Sequence, residues 1–141
     1  MDFFTTFKIC GTVLSAQRAK MDVITSNIAN INTTSTPEGG PYKRKIITFA
    51  AEPLKQGFDK TLEGAVQAVK VQGITEDKEG IKRVYDPAHP DADKDGFVSY
   101  PNVNAMVEMA DMITASRTYE ACATAFDAAK NMAITAMSIG K

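Results

Sequence analysis

"SNIANINTTSTPEGGPYKRK", residues 26–45, decides how the rest of the chain is read. Its first part ends a helix: Asn27, Asn30 and Asn32 punctuate an apolar run, and asparagine tolerates the left-handed conformation that terminates helices. Its middle, "TTSTPEGGP" over residues 33–41, is breaker chemistry of Thr, Ser, Pro and Gly. Its last part leads from Tyr42 into Ile46, Ile47 and Phe49, which suit a strand.

Upstream of this stretch, Phe3, Phe7, Cys10, Leu14, Gln17, Met21, Ile24 and Ile28 follow alternating steps of four and three. That is a heptad stripe with one polar member, Gln17, and it predicts an amphipathic helix ending near residues 30–32. Downstream, three segments read as strands: "YKRKIITFAAE" (42–52), "AVKVQGI" (68–74) and "IKRVYD" (81–86). The charged "ITEDKEG" between the last two is expected to join them as a turn. Residues 53–65 carry no period and are expected to be mobile. This β region is too small to fold convincingly alone.

The last forty residues are periodic twice over. One stripe runs Met109, Met112, Ser116, Tyr119, Ala123, Phe126, Lys130, Ala133, Met137; a second runs Cys122, Ala125, Ala129, Met132, Ala136, Ile139. No proline falls in residues 102–141, so a helix over 104–139 would be about 54 Å long. Asn102 or Asn104 can cap it. The predicted fold is mainly α with a small β insertion. The N- and C-terminal helices, in residues 1–32 and 102–141, pair as an antiparallel coiled-coil hairpin, with the loop and β region of residues 33–101 between them. A two-helix pair buries one face of each helix. The second stripe of the C-terminal helix is left to neighbours, because exposed apolar stripes of that length mark protein–protein contact. The chain therefore reads as an assembly subunit.

Other classes find little footing. The 141 residues are 44% hydrophobic with net charge −1, so charge does not point to nucleic acid or an anionic membrane. The one short basic cluster, Lys43-Arg44-Lys45, reads as an exposed strand end. No apolar run is long enough to span a membrane, and no direct membrane insertion is expected. Asp2 and the interrupting Lys8, Gln17 and Arg18 do not suit a secretory signal. Cys10 and Cys122 have no metal spacing and are expected to be free, buried thiols; a disulfide would need the terminal helices in one particular register. The single histidine, His89, lies in a loop, and there is no nucleophile elbow, P-loop or dinucleotide fingerprint, so no catalysis and no cofactor are expected.

"PDADKDGFVSYPN", residues 90–102, is the alternative worth weighing. Asp91, Asp93, Asp95, Gly96 and Ser99 fall where a calcium loop wants them, which would make a calcium-binding module. Against it, Asn102 replaces the closing bidentate Glu, and prolines stand upstream and at Pro101. The competing reading is a turn, with Asp95-Gly96 as its tip and Asp side chains bonding their own backbone.

The opening stretch resembles the axial proteins of the bacterial flagellum. It shares with them a helix ending Asn-(Ile/Leu)-Ala-Asn, then Thr, then an aromatic followed by a basic residue. Here those are Asn27, Ile28, Ala29, Asn30, Thr33 or Thr34, Tyr42 and Lys43. "TPEGGPY", "VYDPAHPDADKDGFVSYPNVN" (84–104), "EMADMITASRTYEA" (108–121) and the helical C-terminus are similar to one branch, the proximal rod proteins of FlgC type. The resemblance implies a structural subunit of the basal-body rod, a helical tube in the periplasmic space that transmits torque and encloses the export channel. It implies packing of the terminal helices through Phe3, Phe7, Cys10, Leu14, Met21, Ile24, Ile28, Met109, Met112, Tyr119, Phe126, Met132 and Met137. It implies as partners further copies, other rod proteins and adaptors at the export gate. It also implies export through the flagellar type III apparatus without a cleaved signal, with Phe3, Phe4 and Phe7 sharing in the export signal.

Overall fold

The computed structural model describes residues 3–53, 67–77 and 80–139. The elements run α1 (Phe3–Ala29), β1 (Lys45–Pro53), β2 (Gln67–Glu76), β3 (Lys82–Tyr85), β4 (Phe97–Tyr100) and α2 (Ala105–Ile139). Two helices thus flank two antiparallel two-stranded sheets, β1–β2 and β3–β4. Most of residues 53–65, expected to be mobile, lies outside the described residues.

Helix α1 ends where the asparagines stand. The Asn30 backbone donates to the Ser26 carbonyl, and its side-chain amide reaches the same oxygen at 2.8 Å. The Thr33 backbone then bonds the Asn30 carbonyl, and the Thr33 hydroxyl the Asn30 side chain. The loop folds back on itself: the Tyr42 backbone N–H donates to the Thr33 carbonyl at 3.0 Å. Its tip requires glycine, since Gly39 and Gly40 have φ of 90° and 82°.

Strands β1 and β2 form the longer ladder, from Lys45 opposite Glu76 to Pro53 opposite Gln67. Between the Thr48–Gly73 and Phe49–Val71 pairs, Gln72 is the extra residue of a β-bulge. The second and third strands, expected to be joined by a turn, do not pair with each other. β3 pairs instead with β4, Lys82 opposite Tyr100 and Tyr85 opposite Phe97. The segment between them supplies the reason. The Asp86 N–H bonds the Gly96 carbonyl, and the Asp93 N–H bonds the Phe97 carbonyl, which draws the two strands together.

Gly96 closes that turn at φ 78°, and a Cβ there would stand 2.9 Å from the Tyr85 ring. The exposed ring can swing away, so backbone strain carries most of the effect of Gly96→Ala. The substitution is expected to lower the stability of the β3–β4 hairpin by about 1–3 kcal/mol. The measurement is amide hydrogen exchange, with protection lost at Asp86 and Phe97 and retained in α1.

Helix α2 starts at Ala105, and Asn104 is its cap: its side-chain oxygen accepts the Met106 N–H at 3.0 Å. Asn102, the other candidate cap, bonds the Arg44 N–H instead. The helices touch at both ends of α1. Phe7 meets Phe126 edge-on with centroids 4.8 Å apart, and Asn27 bonds Glu108. The buried apolar set is small-sided and thin: Cys10, Ala16, Val23 and Ile24 on α1, Ala115 and Ala129 on α2.

The buried line of α2 differs from both expected stripes. Glu108, Ala115 and Ala129 are buried, with Met112, Cys122 and Phe126 half-buried on the same four-three line. The seam therefore draws on both stripes, and Met109, Tyr119, Met132 and Met137 remain exposed. On α1, Ala16, Val23 and Asn27 are buried, while Phe7, Leu14, Gln17, Met21 and Ile28 are half-buried at its margins. The shift has a cause: the C-terminal half of α1 also packs on the β1–β2 sheet, which widens its buried face. The side chains of Phe3 and Phe4 lie outside the described residues.

Candidate functional site: a buried polar junction and an exposed helix face

The elements converge at Asn27. Its side chain is 1% exposed, and all of its hydrogen-bonding capacity is used. The amide nitrogen donates to the Lys45 carbonyl at 2.9 Å and to Glu108 Oε2 at 3.1 Å. The amide oxygen accepts the Lys45 N–H at 2.9 Å and the Tyr42 hydroxyl at 3.0 Å. The Tyr42 hydroxyl also lies 3.2 Å from Ser26 Oγ. One side chain in the last turns of α1 thus grips both backbone groups at the start of β1.

Glu108 closes the network from α2. It too is 1% exposed, a buried carboxylate in the first turns of the helix. Arg44 answers it: Nε donates to Oε1 at 2.7 Å, and a second guanidinium nitrogen stands 2.7 Å from the same oxygen. Arg44 is itself bound through its backbone N–H to Asn102 Oδ1 at 3.1 Å. A charge taken from water needs such a partner and further hydrogen bonds to be tolerated. The Asn27 amide supplies the bond to the other carboxylate oxygen.

Of the motif residues, Asn27, Asn30, Thr33 and Tyr42 are brought together here, each through hydrogen bonds. Ala29 ends α1 with its face exposed. Arg44, Asn102 and Glu108 join them, although the sequence reading gave Arg44 to an exposed strand end and Asn102 to a helix cap, and did not select Glu108. Glu108 carried a signal: counting back from Ala115 and Met112 by three and four reaches it, a carboxylate on an apolar line. A second clasp ties the loop to the β3–β4 module, with the Thr34 hydroxyl donating to Asp91 Oδ2 at 2.6 Å.

The aspartates of residues 91–95 are engaged in the turn. Asp93 Oδ1 accepts the backbone N–H groups of Asp95 and Phe97, both at 3.0 Å, and Asp91 is held by Thr34. Among the described residues no cluster of His, Cys, Asp and Glu could hold a metal ion. The sequence spacing of a calcium loop is thus spent on Asx turns. His89 belongs to the same turn, where Nδ1 accepts the Asp91 N–H.

The basic cluster is likewise engaged. Lys43 stands 3.6 Å from Glu76, Arg44 binds Glu108, and Lys45 lies 5.9 Å over the Tyr42 ring. Lys43, Lys45, Tyr42 and Glu76 border an open groove of about 310 Å³ against the 36–41 turn, without a nucleophile–base pair. Cys10 is buried and Cys122 half-buried; both are free. Cys122 thus sits at the seam margin, not in a core as expected.

The other feature is apolar. Met106, Met109 and Ile113 are 76%, 50% and 58% exposed, and their spacing of three and four puts them on one side of α2. Ile134 and Met137 are exposed for a different reason. With Phe7 opposite Phe126, α2 passes the first described turn of α1 at about residue 130. Its last two turns lie beyond the described part of α1.

Two family models match this architecture. "Flagella basal body rod protein" covers residues 11–35, all of α1 after Cys10 and the start of the loop. "Flagellar basal body rod FlgEFG protein C-terminal" covers residues 94–139, from the turn before β4 through α2. The chain is 45% identical to the flagellar basal-body rod protein FlgC of Borreliella burgdorferi, over 99% of this chain and 98% of that one. It is 39% identical to FlgC of Bacillus subtilis and 33% identical to FlgC of Salmonella typhimurium, each over the full length of both chains. Similarity at that level, running from end to end and spanning both helices and the junction between them, places the chain in a family: it belongs to the flagellar basal-body rod proteins of FlgC type.

Proposed function

We propose that this chain is a structural subunit of the proximal rod, without catalysis, which assembles with further copies and with other rod proteins into the tube that transmits torque. The carrying observation is the exposed apolar face of α2. The chain exposes 9957 Å², where a compact chain of 15.2 kDa exposes about 7,100 Å². A standard interface removes about 800 Å² per partner.

In this reading α1 and α2 form an antiparallel coiled-coil pair at the core of the rod. The Phe7–Phe126 and Asn27–Glu108 contacts support that direction. Residues 1–32 and 102–141 make up the core, and residues 33–101 form the outer loop and β region. Phe7, Cys10, Leu14, Met21, Ile24, Ile28, Met112 and Phe126 pack within or beside the pair, and Tyr119 is left exposed for a neighbour. Met109, Met132 and Met137 pack on neighbours, and Phe3 contributes at the start of α1. The rod lies in the periplasmic space and encloses the export channel; the subunit reaches it unfolded through the type III apparatus, without a cleaved signal, and meets adaptors at the export gate.

Folding and assembly are then coupled. The full chain is expected to gain helicity as it self-associates or binds rod partners, while a chain lacking residues 104–141 does neither. Circular dichroism and sedimentation on both chains test this. A full chain that stays a stable, fully helical monomer at all concentrations and with partners would overturn the reading.

A further inference from the structure

We infer that the Asn27–Arg44–Glu108 cluster is a register lock, which permits the two helices to pair in one alignment only. The apolar seam does not specify an alignment by itself. Its most deeply buried apolar members that face across the pair are small, Ala16 on α1 and Ala115 and Ala129 on α2, with Val23 and Ile24 as the larger ones beside the cluster. A slide by seven residues moves each of the half-buried Met112, Phe126 and their neighbours to an equivalent seam position, about 10 Å along the axis. Apolar knobs of this kind are indifferent to such a slide.

The polar cluster is not indifferent. Glu108 finds Asn27 at 3.1 Å and Arg44 at 2.7 Å in one alignment alone. Slid by seven residues one way, its carboxylate faces Lys20, with neither the Asn27 amide nor Arg44 in reach. Slid the other way, it passes the end of α1 at Ala29. Arg44 cannot follow in either case, because the Asn27 side chain holds both backbone groups of the adjoining Lys45, and Asn102 holds the Arg44 N–H. The lock therefore has its fixed half built from α1 and β1, and its moving half is the carboxylate of α2. A buried polar group that fixes the register of paired helices is the best-attested use of such a group.

The test separates register from stability. Arg44→Leu/Glu108→Leu removes both charges together, which leaves no unpaired ion in the interior and preserves helix. Spin labels at the exposed positions Lys8→Cys and Asp127→Cys, in a Cys10→Ser/Cys122→Ser background, report the alignment by pulsed dipolar spectroscopy. The full chain is diluted with unlabelled chain, in sulfate to favour burial. The parent, with its lock intact, gives one narrow distance. The double-leucine variant is expected to add a second population, offset by about 10 Å along the axis. A variant that keeps the single narrow distance would overturn the lock. So would one that loses its helix by circular dichroism, since the cluster would then supply stability and not alignment.

Discussion

Asn27→Leu is expected to lower the stability of the helix pair by about 3–5 kcal/mol, and to do so although leucine is close in volume and a better helix former. The reason lies in what the substitution leaves behind. Four groups lose a partner at once: the Lys45 N–H, the Lys45 carbonyl, the Tyr42 hydroxyl and Glu108 Oε2. Removing one member of a satisfied network exposes the desolvation of the others, at about 1–3 kcal/mol for each buried group that finds no water. The sum stays below four such terms because Tyr42 keeps Ser26. Loss of β1 pairing at Lys45 and loss of α2 docking should appear together in one transition, read by circular dichroism in urea. A midpoint within experimental error of the parent would show that these groups are satisfied elsewhere. Arg44 and Glu108 should respond unequally. The Arg44 side chain is 25% exposed and can turn to water, whereas the Glu108 side chain, at 1%, cannot. Deleting the arginine strands a buried carboxylate, and deleting the carboxylate strands very little.

Much of this arrangement was legible in the sequence, and the part that was not has a common cause. Local signals located the helices, since a heptad line and its terminating asparagines are read within one segment. They also located the 33–42 turn, whose glycines adopt the positive φ their type allows. Asp93 and Gly96 were legible as turn residues: Asp93 Oδ1 accepts the N–H groups of Asp95 and Phe97, and Gly96 takes the positive φ. Pairing was a different matter. Whether "IKRVYD" joins the strand before it or the one after it depends on which turn closes, and the Asp86–Gly96 bond settles that across ten residues. Helix phase was not legible for the same reason: an α2 with two candidate stripes is phased only against α1, and the seam takes Met112 and Phe126 from one and Cys122 and Ala129 from the other. The Arg44–Glu108 ion pair spans 64 positions, so neither residue looks special alone. The motif Asn27…Tyr42 marked one half of the junction, because that half is contiguous in sequence.

Met106→Gln/Met109→Gln/Ile113→Gln is expected to abolish self-association while leaving the isolated chain's helicity unchanged. All three side chains are at least half exposed, so the folded chain loses little packing when they become polar. Glutamine matches methionine in helix propensity and exceeds isoleucine, so α2 itself is not weakened. In an assembly the same side chains leave water, and burying the remaining half of each contributes about 1 kcal/mol. Together that is about 3 kcal/mol per contact, a roughly 100-fold weaker association for a single interface. A tube uses the contact at every subunit, so a loss of this size at each step prevents growth. Met112→Gln supplies the contrast. It sits half-buried on the seam, and its substitution should lower the chain's own unfolding midpoint before it touches assembly. Sedimentation velocity over a concentration series, read beside urea melts, separates the two. If the triple variant assembles like the parent, the apolar side of α2 is not the contact face. If it melts like the Met112 variant, those side chains are core that neighbours never reach.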